Sequence, residues 1–378
     1  VDSEVTFRKV REVFLPPFKK AVDAGVASIM TAYGSIDGHS FTADAKSLKT
    51  ILRDELGFDG FVVTDWNNCE SLMKQQFVAE SMEDCAIQSA EAGNDMIMST
   101  LGFYEAALNA VKAGKLDVAV LDEAVRHILA MKLKMNLFEK PEKLGVPGCV
   151  GCQEHLDATL RAARASVTLL KNEGVLPLKD VKKVAVIGQN ADDLNSQYGD
   201  WTYFTHPVPD PENSRPAHRP YVTLWEGVKK ICDEQGIEAV YAKGCAVKPK
   251  ADVDESADLD EAVRLAEGSD VILFACGDVI PQFGEFADRA DLDLSGRQSE
   301  LFARLKATGK PVCTVFISSK PLCLKDVAEK ADAVICGFNG GMFGGQAVAE
   351  AAFGCINPSG RLPISFPQHS GQVPVYYN

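Results

Sequence analysis

Asp65 closes the apolar run of GFDGFVVTDWNN (57–68), and Trp66 follows it directly. Barrels built from parallel strands project their functional side chains from the carboxyl ends of those strands, so a carboxylate here can do chemistry. The same aspartate could instead cap the next helix, because a short acidic side chain accepts hydrogen bonds from free helix amides. An indole beside a carboxylate offers an apolar face for a sugar ring and an acceptor for a hydroxyl or an anomeric carbon. A tryptophan at this place can equally be core. A second carboxylate, Glu285, lies in the loop PQFGEFADRADLDLSGRQ (281–298), where composition alone does not separate it from the solvated charges around it.

These residues need elements to position them. The runs ASIMTAY (27–33), GFVVTD (60–65) and DMIM (95–98) read as strands separated by amphipathic helices. One such helix, SLKTILRDEL (47–56), places Leu48, Ile51, Leu52 and Leu56 at helical spacing. This is a βα repeat, so its strands are expected to be parallel; three units alone cannot close a barrel. A helix DEAVRHILAMKLKM (122–135) follows, and the Pro- and Gly-bearing stretch after it predicts a linker over 139–159 between a first domain, 1–138, and a second, 160–378. The second alternates again, with strands at 181–188, 238–244, 269–278, 311–318 and 331–338, and reads as an α/β domain with a mostly parallel sheet. Its irregular excursions, 193–220 and 279–298, occupy the loops where such domains keep their chemistry.

Composition narrows the classes. At 378 residues, 46% hydrophobic and 24% charged, the chain reads as a globular protein of two domains, and no apolar run approaches a membrane span. A net charge of −14 argues against nucleic acid or an anionic membrane as a partner and favours a neutral substrate. Most of the 11 cysteines sit in apolar strand-like runs, which predicts free buried thiols and a reducing, cytoplasmic compartment, without excluding a periplasmic or secreted protein. Cys149 and Cys152 form the one close pair, and no second pair completes a structural zinc site.

The segments FLPPFKKAVDAGVASIMTAYGSIDG, LRDELGFDGFVVTDW, AGNDMIM, ASVTLLKNEGVLPL, VAVIGQNADD, GRQSELFARLKATGKPV and NPSGRLPISFP, taken together and in this order, resemble glycoside hydrolase family 3, of the β-glucosidase and β-xylosidase type. The resemblance implies an α/β fold: the C-terminal part of a (β/α)8 TIM-type barrel followed by an α/β sandwich domain. It implies a catalytic nucleophile at Asp65, an acid/base at Glu285, a tyrosine at Tyr33 whose hydroxyl contacts the nucleophile, and a sugar-lining residue at Trp66. The plainer reading of Tyr33 is a packed strand-end aromatic. The activity implied is a retaining removal of β-linked glucose or xylose from the non-reducing end of oligosaccharides or glycosides, with no metal or organic cofactor.

Two departures stand against that pattern. Where the family often has a G-x-E-G-G turn, this chain reads GGMFGG, with Phe343 in the acidic position. The family's first barrel strands, which carry further sugar-holding groups, precede a segment like VDSEVTFRKV, and members with a segment like GQVPVYYN often continue into a fibronectin-like domain. The expectation is therefore a segment of a longer polypeptide, inactive by itself, whose missing barrel segment comes from the same protein or a companion chain, with a homodimer also possible. A β-N-acetylglucosaminidase, a phosphorolytic relative and an inactive sugar-binding fragment are the competing readings. The first often uses a His-Asp pair within its barrel, and none of the six histidines here stands in an obvious catalytic loop.

Overall fold

The computed structural model of the chain describes residues 2–139, 151–202, 221–285 and 287–375. The chain divides into two compact units, Val1–Gly145 and Val146–Asn378. Among the described residues no helix is long and apolar enough to cross a membrane.

In the first unit, strands Ser28–Thr31 and Phe61–Thr64 pair in parallel, with Ser28 opposite Phe61 and Thr31 opposite Thr64. The third expected strand, DMIM, is reduced to a single parallel bridge from Met96 to Val63. The Met96 amide donates to the Val62 carbonyl and its carbonyl accepts from the Thr64 amide, both at 2.9 Å, and on either side of these bonds side chains take over: Asp95 Oδ2 accepts from the Val62 amide at 2.7 Å, and Thr64 Oγ1 accepts from the Met98 amide at 2.8 Å. The helix expected over 47–56 forms as a π-type helix, Lys46–Glu55, and buries Leu48, Ile51 and Leu52. Leu48 and Leu52 join Phe58, Val62 and Ala92 in one cluster. Helices Met82–Ala92 and Phe103–Lys112 pack through Ala86, Ala90, Ala106, Ala107 and Ala110, whose small side chains allow close approach. Helix Val118–Lys134 starts at an Asp117 cap that accepts from the Ala119 amide.

At the amino ends of these strands Asp95, 3% exposed, binds Arg53 at 2.6 Å and His127 at 2.8 Å. Arg53 also donates to the Gly60 carbonyl at 3.0 Å. One buried carboxylate thus ties two helices to the start of a strand, with every partner a good donor. In barrels this end is the one that serves stability.

The second unit holds a six-stranded sheet in the order Thr168–Asn172, Ala333–Cys336, Val312–Ile317, Val271–Gly277, Lys183–Ile187, Glu238–Ala242. All pairings are parallel except that of Thr168–Asn172 with Ala333–Cys336. The five parallel strands were legible as apolar runs; the antiparallel edge strand TLLKN, half polar and half exposed, was not. Strand residues alternate between faces, so Val184, Val186, Leu273 and Val315 pack in one cluster while Ala185, Ile187, Ile272 and Phe316 pack in the other. Helices Leu224–Gln235 and Gly344–Ala352 cover the first face; helices Ser256–Glu267 and Gln298–Ala307 cover the second. The predicted linker, 139–159, lies outside the described residues over 140–150, and from Gln153 it is already helix, Gln153–Ser166. The amphipathic spacing of Leu156, Leu160 and Ala163 places that helix against the first cluster.

Phe343, in the position the resemblance makes acidic, is 6% exposed and belongs to the core with Leu224, Val348 and Phe353. Its ring fills space that a carboxylate could occupy only with a partner.

Candidate active site

The first unit presents Asp65 just beyond strand Phe61–Thr64. Its amide still donates to the Thr31 carbonyl, at 3.3 Å, so the backbone there continues the ladder. Oδ1 accepts from the Trp66 amide at 2.6 Å, and Oδ2 has no hydrogen-bond partner among the described residues. The capping alternative does not hold. Helix Asn68–Lys74 begins at Asn67, in the left-handed region with φ 52°, without a side-chain cap bond. The turn is held by the fully buried Asn68, which donates to the Ala32 carbonyl at 3.0 Å and to that of Thr31 at 3.4 Å. Asn67 donates its amide to the Met98 carbonyl at 3.0 Å. Three neighbouring carboxyl ends are thereby stitched together around Asp65.

Tyr33 sits at the same end. Its hydroxyl donates to the Trp66 carbonyl at 2.5 Å, one residue past the carboxylate, and its own carbonyl accepts from Gln76 at 2.5 Å. Trp66 is 66% exposed, which rules out core packing as the reason for the indole. An apolar groove of about 210 Å³ elsewhere in this unit, lined by Phe14, Phe18, Ile29, Met30 and Leu52, contains no ionisable side chain and cannot serve as a reaction centre.

The second unit presents Glu285 beyond the carboxyl end of strand Val271–Gly277. This strand and Lys183–Ile187 flank the point where the sheet's connections reverse direction, the usual place for a ligand crevice. The loop is tied down behind Glu285. Lys320 donates to Asp278 at 2.6 Å and to the Gln282 carbonyl at 2.9 Å, and Gln282 donates to Ser295 at 2.7 Å. Phe283 is buried. In front of it a depression of about 460 Å³ is lined by Asp200, Gly284, Asp288, Arg289, Lys320 and Asn339.

Two residues that sequence reasoning passed over meet Glu285. The Glu285 amide donates to Asp200 Oδ2 at 2.6 Å, and the indole N–H of Trp201 donates to Glu285 Oε2 at 3.1 Å. Gly284, at φ +99°, lets the chains approach, because a Cβ there would lie 2.5 Å from Asp200 Cγ. Trp201 is 71% exposed. Its signal was its setting: a tryptophan in NSQYGDW, within a long loop after a parallel strand. That loop was marked as irregular, and the pairing with 281–298 was invisible without the fold.

The geometry defines a protein with one carboxylate at a strand end and another in an anchored loop, each with an exposed indole beside it. Residues 2–131 match the glycosyl hydrolase family 3 N terminal domain, and residues 167–378 match the glycosyl hydrolase family 3 C-terminal domain. The chain belongs to glycosyl hydrolase family 3. It is 37% identical to a β-xylosidase of Formosa agariphila, over 99% of this chain and 52% of that protein. It is 34% identical to a periplasmic β-glucosidase of Salmonella typhimurium, over 97% of this chain and 49% of that protein. Among solved structures, a β-glucosidase involved in saponin metabolism from intestinal bacteria superposes with a TM-score of 0.92 at 36% identity, over 100% of this chain and 55% of that one. A β-glucosidase from Listeria innocua in complex with isofagomine gives 0.87 at 26%, over 100% of this chain and 50% of that one. The chain thus spans about half the length of the relatives it matches. The expected fold class, barrel-type βα units followed by an α/β sandwich with a mostly parallel sheet, is the observed one.

Proposed function

We propose that the protein is a retaining glycoside hydrolase that releases β-linked glucose or xylose from the non-reducing end of a glycoside. The observation that carries this reading is Asp65, held at a strand end with one carboxylate oxygen free of hydrogen bonds among the described residues and an exposed indole alongside. The family and the names of its similar members support the substrate class.

In this reading Asp65 attacks the anomeric carbon while Glu285 protonates the leaving oxygen. The covalent glycosyl-Asp65 ester then yields to water, from which Glu285 takes the proton. Double displacement asks the two carboxyl groups to work about 5–5.5 Å apart across the sugar. Trp66 is assigned to the face of that sugar, and the Tyr33 hydroxyl, which here donates to the Trp66 carbonyl, to the Asp65 carboxylate once sugar is bound. Neither a metal nor an organic cofactor enters the scheme. The histidine-dependent alternative finds no support, since the His127–Asp95 pair lies at the opposite, amino-terminal side of the strands.

A 2-fluoro glycoside with a good leaving group tests the assignment. It should label the peptide FVVTDWNN stoichiometrically, and a label on another carboxylate would overturn the nucleophile. A cytoplasmic location is a companion proposal, supported by free cysteines, most of them buried. Burial pushes the Cys313 thiol up to about 12, so such groups stay protonated and unreactive. Recovery of the protein in a periplasmic or secreted fraction would overturn it.

A further inference from the structure

We propose that Gly199–Trp201 is the positioning element of Glu285, with Asp200 setting the backbone of the acid/base and Trp201 setting its carboxyl. This rests on the reading of Glu285 as the acid/base and extends it to residues outside that reading.

The contacts form a closed ring. Asp200 Oδ2 accepts from the Glu285 amide at 2.6 Å, and Asp200 Oδ1 accepts from the Trp201 amide at 2.8 Å. The Trp201 indole then returns to Glu285 Oε2 at 3.1 Å. A single carboxylate therefore fixes both the residue that carries the proton and the residue that orients it. Trp201 itself sits at φ 54°, a conformation a bulky residue adopts only where its surroundings impose it, and in it the Trp201 amide donates to Asp200 Oδ1.

The opposite side of the ring is built to match. Gly284 has φ +99°, and any side chain on it would strike Asp200, with a Cβ 2.5 Å from Cγ and 2.6 Å from Oδ2. Behind Gly284, the buried Phe283 and the Lys320 bridge to Asp278 and the Gln282 carbonyl hold the root of the loop. The root fixes where the loop leaves the sheet, and Asp200 fixes where its tip points. A proton donor must meet the leaving oxygen at hydrogen-bond distance, so an unlatched tip would slow the steps that depend on proton transfer and spare those that do not.

Two measurements test this, the first on the chain itself and the second on the chain within a polypeptide that shows glycosidase turnover. The first needs no turnover. With 15N-labelled tryptophan the chain gives three indole N–H resonances, one per tryptophan, and Trp201→Phe identifies the one from Trp201. Glu285→Gln and Asp200→Ala should each move that resonance and leave the other two in place. The second is kinetic. Asp200→Ala should lower kcat on alkyl glycosides by about 10- to 100-fold, while kcat and KM for activated aryl glycosides change by a few-fold at most. Gly284→Ala should reproduce this with Asp200 still in the sequence, because its Cβ would displace the Asp200 carboxylate from the Glu285 amide. Asp200→Asn, which keeps the shape and one acceptor, should fall between wild type and Asp200→Ala, showing that the loss is not unfolding.

An unmoved Trp201 resonance in Asp200→Ala would overturn the latch, as would an equal loss on both substrate types. Failure of the underlying reading looks different: Glu285→Ala would then lose the same factor on both substrate types whatever the resonance does in Asp200→Ala.

Discussion

The turn after Phe61–Thr64 and the loop after Val271–Gly277 each deliver one carboxylate, and they do so by different means. Asp65 is placed mainly by backbone bonds, with one side chain, that of Asn68, completing the turn. Its amide belongs to the ladder, the Asn67 amide reaches the Met98 carbonyl, and buried Asn68 grips the neighbouring strand end. Glu285 is placed by side chains, through Asp200 and Trp201 from one loop and Lys320 from another. On the proposed assignment Asp65 as nucleophile has to sit still against one carbon atom, and a strand end provides that. An acid/base must serve two steps with different partners, and a loop latched by side chains can differ between relatives without rebuilding the sheet.

The largest expected effect lies at the strand end. Asp65→Asn should reduce turnover of every glycoside by at least about 10³-fold, while far-UV circular dichroism and the unfolding transition stay at wild type. The backbone bonds that shape the turn do not involve the carboxylate except at the Trp66 amide, where the asparagine carbonyl can stand in. A variant that lost structure along with turnover would break the distinction between a backbone-placed nucleophile and its scaffold.

Next comes Glu285→Ala, with an effect that depends on the leaving group. Alkyl glycosides should lose about 10²- to 10⁴-fold and activated aryl glycosides far less, and azide should restore turnover by replacing the base-activated water. If the selective loss appears instead in Asp288→Ala, the acid/base belongs to that carboxylate, which lines the depression together with Gly284.

Removing the structural carboxylate separates stability from chemistry. Asp95→Ala leaves Arg53, His127 and the Val62 amide without their shared acceptor, and should destabilise the first unit by about 3–5 kcal/mol. Chemical denaturation followed by proteolysis within residues 2–139 reads this out. A loss of less than about 1 kcal/mol would mean that water satisfies the partners and that this end is not the stabilising one.

Much of the site was legible because its signals were local. VVTDW places an apolar strand, a carboxylate and an indole within five residues, and the five parallel strands of the second unit are continuous apolar runs. What escaped reading was non-local or masked by side-chain chemistry. The third strand of the first unit shrinks to one bridge, because beyond the backbone bonds of Met96 to Val62 and Thr64 the side chains of Asp95 and Thr64 take over, which no periodicity shows. The half-polar edge strand TLLKN carries no alternation strong enough to mark it. Asp200 and Trp201 lie 85 and 84 residues from Glu285, and only the parallel sheet brings their loops together. The departure at Phe343 is legible as a missing carboxylate, while its place in the core needs the fold.

The smallest expected effect is the sharpest test of the contrast between the two regions. Among the described residues the Tyr33 hydroxyl gives one hydrogen bond, to the Trp66 carbonyl, to a turn that backbone bonds and the Asn68 side chain already hold. Tyr33→Phe keeps the ring and removes only the hydroxyl, so the structural cost should be about 0.5–1.5 kcal/mol. If the hydroxyl also orients the Asp65 carboxylate when sugar is bound, kcat should fall by about tenfold for good and poor leaving groups alike, because the nucleophile serves both substrates equally. That uniform loss is the opposite of the leaving-group-dependent loss expected when Asp200 releases Glu285. Should Tyr33→Phe instead discriminate between leaving groups, the hydroxyl would be acting on proton transfer, and the division between a backbone-held nucleophile and a side-chain-held acid/base would fail.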